Sequence, residues 1–252
     1  MFPILQIGHL AIQTPGLFLL IGLYLGLSLM ERYLDRYGLQ GGDMYTLVFG
    51  ALISAAVGGR LTYAAQNLPA FIASPASLVA LNLTLWDATG GVILGLGFSV
   101  WYAIHKKMKL WPLLDSLSPL LAVMMIAIGL AQLAAGSAYG APARLPWSIY
   151  LWGAWRQPSQ IYETIGAIFV LGWVLKRLSK TRDGFLPKPA PGGLFWEFVA
   201  WTAALRLFLE AFRGDSPLLT GQFRTAQVLA WLVLAVSLWM LGKKSNIHTI
   251  ST

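Results

Sequence analysis

The chain has 252 residues, 57% apolar and only 11% charged, against roughly 25% charged in a typical soluble domain; a soluble globule with a polar shell is excluded. The formal charge of +8 does not point to nucleic acid, because Lys and Arg lie between apolar runs rather than in one stripe or tail. With no Cys, disulfides, thiolate metal sites and a Cys nucleophile are also excluded, and no metal or cofactor is expected.

Met1 to Pro15 holds no Lys or Arg, unlike the cationic start of a cleavable signal peptide, so the first apolar run is expected to remain in the mature protein. A spanning helix needs about 20 mostly apolar residues. Seven such runs can be read, near residues 13–31, 44–66, 86–105, 112–135, 158–176, 193–212 and 223–242. The expected fold is therefore all-α, a polytopic membrane bundle of about seven transmembrane helices forming a single domain over residues 1–252.

Loops after odd-numbered runs, with the C-terminal tail, hold Arg32, Arg36, Lys106, Lys107, Lys109, Lys176, Arg177, Lys180, Arg182, Lys188, Lys243 and Lys244. The other side holds only Arg144, Arg156, Arg213 and Arg224. Basic residues favour the cytoplasm, which puts the N-terminus outside and the C-terminus inside.

The external loop at about 136–157 carries Tyr139, Trp147, Tyr150, Trp152 and Trp155. It reads either as an aromatic collar at headgroup depth or as a lid over an external lipid site. The cytoplasmic loop at about 179–192, with Pro187, Pro189 and Pro191, reads as an extended linker.

Charge at membrane depth is costly and faces an interior or a hydrated cavity. Arg60 and Arg206 both lie inside apolar runs and need partners. Arg206 and Glu210 stand four residues apart, with Arg213 three further on, which makes a charged stripe on one helical face. That stripe reads as a helix-locking ion pair or as an anion site, since the guanidinium fork matches phosphate oxygens. The run Arg156-Gln157-Pro158-Ser159-Gln160-Ile161-Tyr162-Glu163 opens the fifth helix, with Pro158 in its first turn. It puts Ser159, Gln160, Tyr162 and Glu163 at the depth of a lipid headgroup. In Gly58-Gly59-Arg60-Leu61-Thr62-Tyr63, the two glycines admit another backbone beside a buried arginine.

Taken with Trp86-Asp87 followed by Gly90-Gly91, Asp115 with Pro119, and Gln227, these clusters resemble the prolipoprotein diacylglyceryl transferase family from about Ala51 to Leu241. Its members are bacterial seven-helix enzymes that move diacylglycerol from phosphatidylglycerol to a lipobox cysteine thiol. The resemblance implies that Arg60, Arg206 and Arg213 hold a lipid phosphate and that Arg206, Glu210 and Glu163 carry the chemistry. It also implies that Gly58, Gly59, Tyr63, Thr89, Gly90, Gly91, Ser159, Gln160 and Tyr162 line a substrate cavity. The implied location is the bacterial cytoplasmic (inner) membrane. Implied partners are phosphatidylglycerol or a related anionic lipid, the bilayer, and a lipoprotein precursor or another membrane protein; no nucleic acid is implied.

The chain departs from the family pattern at several points. Thr89 stands where the family has His, Gln157 replaces another His, and Gly129 to Ser137 lacks the Arg, both Asn and the Glu of the central signature. The first-helix His-Trp-Tyr-Gly pattern has no counterpart near Phe18 to Gly22. His9, His105 and His248 lie at the chain ends or beside cytoplasmic lysines, leaving acid and base work to Glu163, Glu210 or Asp87. The departures favour a lipid-binding or assembly protein whose transferase activity is degenerate or lost; the alternative is an active transferase.

Overall fold

Each of the seven apolar runs forms a helix. The computed structural model describes residues 4–7, 10–74, 86–182, 190–214 and 224–250. The elements in order are β1 (Ile4–Ile7), β2 (Leu10–Gln13), α1 (Thr14–Glu31), α2 (Gly41–Gln66), α3 (Leu68–Ala73), α4 (Ala88–His105), α5 (Leu110–Ala135), β3 (Ile149–Leu151), β4 (Ala154–Arg156), α6 (Ser159–Arg182), α7 (Gly193–Leu209) and α8 (Thr225–Ile250). Of the described residues, 77% are helical. Five of the described helices, α1, α2, α4, α5 and α8, are long and apolar enough to cross a membrane. The other two fall short for visible reasons: α7 has only 17 residues, and α6 begins with Glu163 inside its second turn and ends in a basic stretch. The proline-rich part of the expected cytoplasmic linker, residues 183–189, lies outside the described residues, as do His9 and the His248 side chain.

The chain divides into two units, residues 1–33 with 114–252, and residues 34–113. In the first, Ala122 of α5, Val170, Val174 and Leu178 of α6, and Leu194 and Phe198 of α7 form a buried core. Small residues bring helices close: a Cβ on Gly22 of α1 would sit 2.2 Å from the Ala127 Cβ of α5, and one on Gly26 2.5 Å from Leu120. Large apolar side chains such as Leu20, Tyr24, Trp231 and Trp239 are exposed, as expected where the surrounding solvent is hydrocarbon.

Asp115 in α5 is 3% exposed, and its two carboxylate oxygens accept the backbone N–H groups of Gly192 at 2.7 Å and Phe195 at 2.8 Å. This is an N-cap supplied by a different helix. It satisfies donors that the start of α7 would otherwise leave orphaned, while Gly192 turns the chain at φ 81°, a conformation glycine adopts without strain. Asp115→Ala is expected to cost about 1–3 kcal/mol for each N–H left unpaired. The check is thermal unfolding of the purified protein in detergent, where Asp115→Asn, retaining one acceptor, should fall between the two.

The expected external loop contains a hairpin. β3 and β4 pair antiparallel, Ile149 opposite Arg156, through a two-residue turn at Trp152 (φ 52°) and Gly153 (φ 76°), the positive-φ pair that matches strand twist. Trp152 is held in that conformation by its indole Nε1, which donates to the Gly136 carbonyl at 2.9 Å. Trp147, Tyr150, Trp152 and Trp155 are all exposed.

In the second unit, α2 and α4 cross at paired glycines. A Cβ on Gly58 would lie 2.6 Å from the Gly90 carbonyl oxygen, and one on Gly90 1.9 Å from Thr62 Oγ1. Trp86 fills the space over the other two, with ring atoms 2.0 Å from a Cβ on Gly59 and 2.4 Å from one on Gly91. Asp87 caps α4 by accepting from Gly90 N at 2.8 Å. At the far end Lys106, just beyond α4, pairs with Asp43 at 2.8 Å, and the bond to Asp43 holds its ammonium above the usual lysine range.

Candidate functional site

The charged stripe read in the sequence becomes a four-residue cluster in the first unit. Helix α7 stops at Leu209, and Glu210 to Phe212 form one tighter 3-10 turn that carries the backbone to Arg213. Arg206 Nη1 and Arg213 Nη1 both donate to one oxygen, Oε1 of Glu163 in α6, at 3.0 and 2.9 Å. Arg206 Nε also lies 3.3 Å from Glu210 Oε2. Two guanidiniums and two carboxylates thus share one network, and hydrogen bonds between charged groups are the stronger kind.

The members differ in access. Glu210 is fully buried, and its carboxylate oxygens have no hydrogen-bond partner among the described residues; the approach of Arg206 Nε is ion pairing without hydrogen-bond alignment. The Arg213 side chain is 11% exposed and that of Arg206 40%, so Arg206 is the guanidinium that a ligand can reach. It borders an apolar groove of about 350 Å³ between α7 and α8, lined also by Phe198, Thr202, Ala203, Leu229 and Val233. A second groove, of about 470 Å³, lies beside Leu207, Gln227 and Trp231.

The run at the start of α6 anchors the loop before it. Ser159 Oγ donates to the Ala138 carbonyl and Gln160 Nε2 to the Ser137 carbonyl, each at 2.7 Å. The Arg156 guanidinium lies over the Tyr139 ring at 4.5 Å. Tyr162 accepts a hydrogen bond from Trp147 Nε1 at 2.7 Å and meets Phe212 edge-on. Backbone bonds from Ala141 N to the Phe212 carbonyl (2.9 Å) and from Gly214 N to the Tyr139 carbonyl (3.1 Å) tie the same loop to the end of α7. Gln132 Oε1 and Gln160 Oε1 are buried without a hydrogen-bond partner among the described residues.

Arg60, Gly58, Gly59, Tyr63, Thr89, Gly90 and Gly91 all belong to the second unit. Its four glycines are taken up by the α2/α4 crossing, Asp87 by its cap, and Tyr63 packs edge-on against Phe71. Thr89 is exposed in the first turn of α4 and Arg60 is half-buried. His105 stacks on Trp101 at 5.5 Å, away from the paired glycines.

Arg224, in the sequence one of the charges on the external side, donates its Nη1 to the Glu210 carbonyl. Its place one residue before α8 was the only available signal.

A sequence profile of the family described as prolipoprotein diacylglyceryl transferase matches residues 3–242. The chain belongs to the prolipoprotein diacylglyceryl transferase family. Curated relatives agree along nearly their whole length. The phosphatidylglycerol--prolipoprotein diacylglyceryl transferase of Thermus thermophilus is 29% identical, with 94% of this chain and 96% of the relative covered. The enzymes of the same name from Geobacter sulfurreducens (29% identical, 93% and 92% covered) and Solidesulfovibrio magneticus (30% identical, 95% and 93% covered) match equally broadly. Belonging to this family, the chain is a polytopic membrane protein of transferase ancestry, and none of the matches gives a sign of lost activity. The departures at Thr89, Gln157 and Gly129 to Ser137 therefore do not favour the degenerate reading over the active one.

Proposed function

We propose that the protein is an active phosphatidylglycerol--prolipoprotein diacylglyceryl transferase of the bacterial cytoplasmic membrane. In this reading a single domain of seven spans has its N-terminus outside, and α6 and α7 cross with their charges turned inward. The observation that carries the proposal is Arg206, an accessible guanidinium bordering an apolar groove and braced by two carboxylates. An amphiphile with a phosphate fits such a place: acyl chain in the groove, phosphate at the arginine.

In the proposed reaction the lipobox thiol loses its proton and its sulfur attacks the diacylglycerol carbon bonded to the phosphate oxygen. A C–S bond forms as that C–O bond breaks, and glycerol phosphate departs with the electron pair. Arg206, joined by Arg213, stabilises the charge developing on the leaving phosphate. Glu210, buried with neither carboxylate oxygen hydrogen-bonded among the described residues, is assigned to receive the thiol proton. Glu163 aligns the two arginines. Ser159, Gln160 and Tyr162 shape the headgroup end of the site.

The test is incubation of the purified protein with phosphatidylglycerol labelled in its diacylglycerol half and a lipobox peptide. The label is expected on a Cys peptide and not on its Ser counterpart. A protein that keeps phosphatidylglycerol bound yet transfers none of it would overturn the assignment in favour of a lipid-binding role.

A further inference from the structure

A second charged cluster lies at the other end of α6, remote in sequence from Glu163. Trp173, Lys176, Arg177 and Lys180 line a pocket of about 200 Å³. Arg177 is tied to Glu197 of α7, with Nε at 3.1 Å and Nη2 at 3.0 Å from Oε1, while Trp173 Nε1 donates to Glu197 Oε2 at 3.2 Å. The Glu197 carboxylate is thus spent on Arg177 and Trp173. Lys176 and Lys180 are exposed and form no ion pair among the described residues.

Two lysines four residues apart on a helix repel one another, and an anion between them relieves the repulsion. The same face continues away from the lysines as Gly172, Phe169 and Ile165; both large side chains are exposed, and Gly172 faces open space. An apolar stripe ending in two cations beside an interfacial indole has the chemistry of a phospholipid turned inside out, with acyl chain along the stripe and phosphate at the lysines.

We infer that Lys176 and Lys180, beside the Trp173 ring, form a binding site for the phosphate of an anionic membrane lipid, separate from the Arg206 cluster. The inference rests on α6 being one of the proposed spans. It adds a lipid contact at the basic end of α6 that holds the protein in anionic regions of the bilayer.

The absence of Cys makes a single probe site simple to install. Ser179→Cys, exposed and one residue from Lys180, is labelled with a fluorophore and the full-length protein placed in phosphatidylcholine nanodiscs. These carry a small fraction of either phosphatidylglycerol or phosphatidylcholine bearing a nitroxide near the headgroup end of one acyl chain. Quenching by both lipids reports that this end of α6 meets the bilayer; its absence would remove the span on which the inference rests. A preference for the anionic lipid of about 25-fold is expected, from about fivefold for each of the two lysines. It should fall with salt and disappear in Lys176→Gln/Lys180→Gln, while diacylglyceryl transfer persists. Equal quenching by the two lipids, or a preference that survives the double substitution, overturns the site. Loss of the preference on adding inorganic phosphate, where chloride at the same ionic strength leaves it in place, would overturn the assignment to lipid and give the two lysines to a soluble anion.

Discussion

Arg206→Ala is expected to lower diacylglyceryl transfer by 10²-fold or more, the usual loss when one preorganised donor to a developing anion is removed. The substitution also strands Glu210. That carboxylate is fully buried, and Arg206 is its ion-pair partner at 3.3 Å. Breaking a buried pair costs about 3–5 kcal/mol, and the 40% exposure of the Arg206 side chain moves the expectation to the lower end. Activity and stability should therefore fall together in this variant. The double variant Arg206→Ala/Glu210→Ala removes both charges and should recover stability while transfer stays lost. Unfolding in detergent, measured beside the transfer assay, separates the two effects. Arg206→Lys keeps the charge but not the fork; it should retain more stability than the alanine variant with little of the lost activity.

Glu163→Gln is the second large effect, and it acts in another way. One carboxylate oxygen receives Nη1 of both arginines, at 3.0 and 2.9 Å. An amide of the same shape still offers an oxygen, so the fold should change little, but the two guanidiniums lose the charge that draws them to one point. Transfer should drop about 10- to 100-fold, as when reacting groups are held in a loosened geometry. Because Glu163 acts through the arginines, the loss should appear mainly in kcat, with the KM for phosphatidylglycerol little changed. A Glu163→Asp variant, which keeps the charge but shortens the reach, should recover part of the rate. A rise in KM at unchanged kcat would instead place Glu163 in ground-state lipid binding.

Apolar runs near 20 residues announced every long helix, because length and composition alone decide whether a segment suits a bilayer. All seven helices begin within three residues of the expected starts, and the run from 193 ends sooner, its last turn tightening at Glu210. Paired glycines at 58–59 and 90–91 also spoke for themselves as points of close approach. Contacts between distant helices were harder to see. The Arg206/Glu210 pairing follows from helical spacing, whereas Glu163, 43 residues from Arg206, joins it only through the packing of α6 on α7. The same reason hid the capping of α7 by Asp115 and the bond from Arg224 to the Glu210 carbonyl. Trp152 and Gly153 form a tight turn that a loop rich in aromatic residues does not advertise, since tryptophan rarely adopts positive φ.

The most direct test of the cluster's role uses purified parent, Arg206→Ala and Glu163→Gln proteins side by side, with saturating doubly labelled phosphatidylglycerol and a Cys lipobox peptide. The predicted result is one glycerol phosphate released for each diacylglyceryl group placed on the peptide by the parent, with both products reduced in parallel in the two variants. Transfer at the parental rate by folded Arg206→Ala protein, or no transfer by a folded parent that still binds the lipid, would contradict the account.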